Sequence, residues 1–128
     1  MSVVTVLRNE YREGIRKPSP VASIIAAASG VNLWLLTTGR TAIIRKIHIQ
    51  NNNAAASLVQ IGTGLLGAFV AANPGWQALA GQELIITERE LPNIEFSADI
   101  TVAGSVGAAA PNNVTVQVEV EEFQGPIG

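Results

Sequence analysis

From Thr41 to Gln50, Ile43, Ile47 and Ile49 share one face by the two-residue period of an extended strand, while Lys46, His48 and Gln50 share the other. Such a strand is half buried. Arg45 interrupts the apolar face and Ile44 the polar one, so the alternation carries a defect. Residues 51–56 then supply turn chemistry, and a second strand follows. The pattern is cleaner near the C-terminus. There Val114, Val116, Val118 and Val120 alternate with Thr115, Gln117, Glu119 and Glu121, and upstream Ile94, Phe96, Ala98, Ile100 and Val102 alternate with Glu95, Ser97, Asp99 and Thr101. Extended along the chain, this reading places strands near residues 23–28, 31–36, 41–51, 57–62, 65–71, 82–88, 94–102 and 113–123. About eight antiparallel strands with irregular connections predict an all-β, two-sheet, jelly-roll-like sandwich, which limits exposed edges better than a single open sheet. Residues 103–113 are too poor in large apolar groups to form a further core strand, and no internal repeat is evident.

Ahead of this domain lies an N-terminal arm, residues 1–20, in which a short β-like run from Ser2 to Leu7 precedes a charged segment ending at Pro18-Ser19-Pro20. Leu7, Tyr11 and Ile15 fall at helical spacing, but Gly14 and the like charges of Arg8, Arg12 and Arg16 oppose a helix. The arm either reaches onto a neighbouring subunit or remains a solvated terminus. Residues 21–123 form the sandwich domain and 124–128 a short tail.

A chain of 128 residues suits one domain. Apolar residues make up 48% and charged residues 14%, which excludes a disordered polyelectrolyte and points to apolar surface that meets a partner. Aromatic residues are only 5%, so the core is built from alanine, valine and isoleucine, which fill a thin sandwich rather than surround a deep cofactor pocket. Cysteine is absent, leaving no disulfide or thiolate metal site. No secretory pattern opens the chain and no apolar run is long enough to span a membrane, so a soluble protein made in the cytoplasm is expected. The net charge of −2 conceals a division: residues 1–50 carry seven basic and two acidic side chains, residues 82–128 one basic and eight acidic. Complementary strands within one sandwich explain this, as would a head-to-tail contact between subunits. Eight Lys and Arg without an accompanying RNA- or DNA-binding motif disfavour nucleic acid as a partner.

The candidate chemistry is sparse. Gly62, Gly64 and Gly67 have the spacing of a dinucleotide fingerprint, with Glu83 near the place of a ribose-binding acid, but Pro74 leaves no length for the helix that would hold a pyrophosphate. Turn and bulge glycines account for them better. His48 is the only histidine and is expected on the outer face, without partners for metal binding or nucleophilic catalysis. Glu88, Glu90, Glu95 and Asp99 read as a solvated sheet face rather than as paired catalytic acids or a calcium site. Trp34 lies in an apolar strand, whereas Trp76 follows Asn73-Pro74-Gly75 in an expected loop, where it either stacks on a sugar or protein partner or caps the core. Asn113-Val114-Thr115 matches a glycosylation sequon and carries no information without a secretory signal. Neither an enzyme nor a cofactor or metal site is expected.

The run from Leu36 to Ile47 with its Thr38-Gly39-Arg40 turn, the Asn51 to Ala56 corner, the Ser57 to Ile61 strand, the Leu79 to Leu84 segment and the closing strand to Phe123 resemble small β-sandwich proteins of tailed-phage structural modules. The similarity is one of pattern over residues 31–123. It implies a virion protein on the outer capsid surface: a decoration or cement protein, usually a homotrimer, that binds the major capsid protein and clamps subunit junctions. Arg8, Tyr11, Arg12, Arg16 and Lys17 would then contact capsid or neighbour, and Trp76 a secondary interface. The rival is a carbohydrate- or receptor-binding module of a phage tail or fibre, built on the same sandwich and using Trp76.

Overall fold

The computed structural model describes residues 15–91 and 94–124. Within them the chain runs β1 (Ile15–Pro18), β2 (Ala22–Ile24), β3 (Val31–Trp34), β4 (Arg40–Asn51), β5 (Ser57–Thr63) and β6 (Val70–Ala71). It continues through β7 (Trp76–Ala78), β8 (Glu83–Thr87), β9 (Glu95–Phe96), β10 (Ile100–Gly104) and β11 (Val114–Gln124). Two antiparallel sheets pack face to face, as the alternation predicts. The first is ordered β1-β11-β4-β8, with β2 also on β11 and β9 on β4; the second is β3-β10-β5-β6, with β7 on β5. Val114, Val116, Val118, Ile47 and Ile49 from the first sheet meet Leu33, Val59, Ile61, Ile100 and Val102 from the second, and all are buried. Burial of each such side chain contributes roughly 1.5–3 kcal/mol.

The defect at Arg45 is a β-bulge. Glu119 pairs with Lys46 but Val120 with Ile44, so Arg45 is an extra residue and the side-chain phase inverts across it. Ala42 and Ile44 therefore join Ile47 and Ile49 in the core cluster, and Ile43 does not share their face. This corrects the simple two-residue reading of that strand.

Two expected strands also differ. Residues 94–102 do not form one strand: β9 pairs with β4 in the first sheet, the chain bends at residues 97–99, and β10 belongs to the second. Phe96, Ile100 and Val102 nevertheless face the same core, because that core is shared by both layers. Residues 65–71 are not a strand either. After β5 the chain turns at Gly64, and Leu66 exchanges hydrogen bonds with Gly30 (Leu66 N to Gly30 O 2.9 Å, Gly30 N to Leu66 O 3.0 Å) before β6 pairs back with β5. Since β10 lies between β3 and β5, residues 64–69 form a strap across it. That explains why Thr101 and Ala103, on the outer face of β10, are buried.

Part of the expected arm is a sheet strand. Ile15–Pro18 pairs with β11 from Glu122 to Glu119, forming an edge that ends at a proline, where a missing N–H is tolerated. Between Pro18 and Pro20, Ser19 supplies the only N–H. It donates to Val118 O at 2.7 Å, while its Oγ accepts from Val118 N at 2.9 Å. Ser19 is buried, so Ser19→Ala is expected to cost about 1–2 kcal/mol in urea unfolding by orphaning the Val118 amide.

Candidate interaction surface

Of the residues singled out for contact, Arg8, Tyr11 and Arg12 lie outside the described residues. Arg16 and Lys17 are on β1, and Trp76 opens β7 rather than sitting in a loop. Arg16 is turned inward to its own chain: its guanidinium reaches Glu88 at 3.1 Å and Glu119 at 3.2 Å, both half exposed pairs. Lys17 is exposed and has no ion pair among the described residues. Trp76 is half buried and packs on the core, lining with Ile44, Ile47, Phe96, Leu91 and Ile94 a void of about 10 Å³ that is too small for a ligand. Its position is that of a lid on the end of the sandwich.

Among the described residues three ion pairs and one histidine–carboxylate contact lie within the first sheet and its turns, and each joins a basic or imidazole group of the first half of the chain to an acid of the second. Besides the two of Arg16, Arg45 Nε meets Glu121 at 2.6 Å and His48 Nε2 meets Glu83 at 2.8 Å. Arg16 and Arg45 are thus engaged with acids of the second half inside one protomer, while Lys17, Arg40 and Lys46 have no ion pair among the described residues. His48 lies on the outer face as alternation predicts, beside Lys46, Ile85 and Gln117 in a shallow groove of about 220 Å³. Glu88, Glu90, Glu95 and Asp99 are exposed, and Asp99 Oδ1 accepts the Leu36 amide at 2.8 Å, which ties the bend before β10 to the end of β3. Among the described residues no group of three or more His, Asp and Glu is placed to hold a metal ion.

Sequence pattern missed two buried acids. Glu122 continues the inward phase of Val118 and Val120, and its Oε2 accepts from Trp34 Nε1 at 3.1 Å and from Thr37 Oγ1 at 3.3 Å. Glu121, on the opposite face, is held by Arg45. Glu122 thereby links the two sheets through Trp34, whereas Glu121 ties β11 to β4 within the first sheet. Only the Arg45 bulge, legible as broken alternation, hinted at irregularity here.

The larger feature is a segregation of charge. Residues 18–39, 49–82 and 100–118 contain no Lys, Arg, Asp or Glu, and these stretches include every strand of the second sheet. All the charged side chains among the described residues lie on the first sheet and its adjoining turns. Among the described residues eight large apolar side chains are exposed, and seven of them belong to the charge-free stretches; Ile85 stands on β8 of the charged sheet, and Val21 and Ile25 flank β2, which pairs with β11 of that same sheet. Val21, Ile25, Leu35, Leu66 and Val70 are each more than half accessible. Exposed apolar side chains on a charge-poor surface are available for contact with another macromolecule.

The sequence matches no family model, and a search of curated proteins finds no significant relative.

Proposed function

We propose that this chain is a virion structural protein, a decoration or cement protein that binds the outside of a phage capsid, self-associates as a homotrimer and braces junctions between capsid subunits. The observation that carries the reading is the division of the chain: a charged sheet braced by ion pairs among its own strands and turns, and charge-free stretches, among them every strand of the second sheet, that carry seven of the eight large apolar side chains exposed among the described residues. A lattice protein needs a stiff block with adhesive surface, and repeated contacts across a lattice turn modest affinities into firm attachment. The sequence pattern shared with tailed-phage sandwich proteins supports the same assignment.

The basic arm is the proposed contact to the capsid, with Arg8, Tyr11, Arg12 and Lys17 as its contact groups; Arg16 has its charge engaged within the protomer. Replacing Arg8, Arg12 and Lys17 together by alanine is expected to weaken co-sedimentation with capsid shells by about tenfold or more, with unfolding unchanged. Attachment as strong as that of the unaltered protein would refute this role. The glycan-binding rival relied on the Trp76 ring, which is packed against the core rather than displayed. A glycan affinity lost in Trp76→Ala with the fold intact would restore it.

A further inference from the structure

β8 is the longest outer strand of either sheet, five residues from Glu83 to Thr87, and among the described residues its one strand neighbour is β4. At the opposite edge of the same sheet β1 is guarded by Arg16, Lys17 and Pro18, devices that discourage further pairing; β8 holds no lysine, arginine or proline and its ladder has no register shift. Which of its backbone groups are spare follows from that ladder. Asn51 N donates to Gln82 O at 2.9 Å, which continues the register in which Ile49 faces Leu84 and Ile47 faces Ile86. Antiparallel partners alternate between bonded and non-bonded pairs, so residues 84 and 86 direct their N–H and C=O to β4, while Glu83, Ile85 and Thr87 turn theirs outward. Of these outward groups only Thr87 O has a partner among the described residues, the Glu90 amide at 2.9 Å. Ile85, at the middle of the row, is 52% exposed.

Spare N–H and C=O groups at this spacing fit one kind of occupant, another extended strand. β8 is complementary to itself. Set antiparallel about a two-fold axis at Ile85, two copies place their Ile85 residues opposite each other, Glu83 opposite Thr87 of the second copy, and Leu84 opposite Ile86 of the second copy. The bonded pairs of that register are Ile85 with Ile85 and Glu83 with Thr87, which are the residues whose groups point outward. Charge agrees with it. The two Glu83 carboxylates lie four positions apart along the seam, and Glu88 falls opposite Gln82 of the second copy. Arg89, exposed and without an ion pair among the described residues, lies two residues beyond the Thr87 that faces Glu83. A parallel pairing in register would instead set Glu83 beside Glu83, where like charges oppose association.

We propose that two copies of this chain pair edge to edge through β8, antiparallel about Ile85, so that their first sheets become one continuous sheet. A two-fold contact closes at two copies, so this pairing goes beyond the homotrimer proposed above and does not depend on capsid binding. The chain has no cysteine, and a single one introduced at the edge reports on its own neighbours. In the full chain under mild oxidation, without capsids, Ile85→Cys is expected to give a disulfide-linked dimer, because bonded antiparallel partners have Cα atoms about 5.5 Å apart. Glu83→Cys and Thr87→Cys are each expected to stay unlinked alone, their like positions being more than about 13 Å apart, and to link to each other when mixed. In sedimentation velocity over a concentration series the unaltered protein is expected to self-associate. Ile85→Lys, a guard of the kind β1 carries, is expected to weaken that association by about tenfold or more, with far-ultraviolet circular dichroism unchanged because the side chain is exposed. An unlinked Ile85→Cys, linking of Glu83→Cys alone as ready as that of Ile85→Cys, an unlinked mixture, or an unaltered protein that is monomeric at every concentration would each overturn the proposal. Linked dimers that do not bind capsids would leave this pairing standing and remove the capsid reading; capsid binding without any of the linking would do the reverse.

Discussion

Asn51→Ala is expected to lower the unfolding free energy by about 3 kcal/mol and the melting temperature by roughly 10 °C. Asn51 is completely buried at the end of β4. Its Nδ2 is shared among the carbonyls of Ala55, Ala78 and Leu79, at 2.9, 3.0 and 3.1 Å, and its Oδ1 accepts from Asn53 N at 2.9 Å. One side chain thereby joins the corner after β4 to the end of β7, and so ties the first sheet to the second. Alanine leaves those carbonyls without a donor in a place that water reaches poorly. Asn51→Asp retains the acceptor for Asn53 but turns an oxygen on the three carbonyls, so it is expected to be at least as damaging. Urea unfolding at a fixed protein concentration is the appropriate measurement, since the proposed self-association would add to apparent stability. A loss under about 0.5 kcal/mol, the usual range for a surface change, would mean that the corner is held by other contacts.

Gly62→Ala is the second large effect, expected at about 2–4 kcal/mol. A Cβ at Gly62 would overlap the Val70 carbonyl oxygen and lie 2.8 Å from Val70 C and 2.9 Å from Ala71 Cα. These are backbone atoms of β6 and cannot rotate aside, so β6, and the strap that leads into it, must shift away from β5. Limited proteolysis within residues 64–70 should then accelerate together with the loss in stability. Gly67→Ala is the control: nothing lies within 4 Å of its Cβ position, and the change is expected within about 0.5 kcal/mol. Equal effects at the two positions would contradict the strap as described. The same contrast explains the dinucleotide-like spacing. In that fingerprint the third glycine permits close helix packing, whereas here the third is open to space, and the first two allow a flat crossing and a turn at φ +89°.

How far the fold was legible follows from where alternation keeps its meaning. In β11 the four valines keep their alternation because the extra residue of the bulge lies on β4, and sequence alone identifies strand and face. At β4 the pattern revealed the defect but not its nature, because one bulged residue inverts the phase while leaving both halves strand-like. In residues 94–102 the inward positions stay apolar even though the chain changes sheet, since both layers line one core; periodicity does not record which layer a strand joins. The strap was read as a strand because Leu65, Leu66, Phe69 and Val70 are strand-forming residues, and its course is set by distant glycines at 30 and 62. β1 was hidden by its charges and proline. Those are the residues of an edge, while a search for strands looks for buried faces.

The contact surface was less legible than the fold. Apolar excess in the composition announced a partner but not a location, and the residues first singled out were charged or aromatic. The charge-free stretches are visible in the sequence once the strands of the second sheet are known; before that they read as core. Trp76 drew notice because it follows a proline-glycine pair, yet its pairing in β7 brings it under the sheet ends.

Imaging particles assembled with and without the protein tests the central claim most directly. The account predicts added density at regular positions on the outer capsid surface, at subunit junctions. Particles whose surfaces are indistinguishable in the two preparations would contradict it.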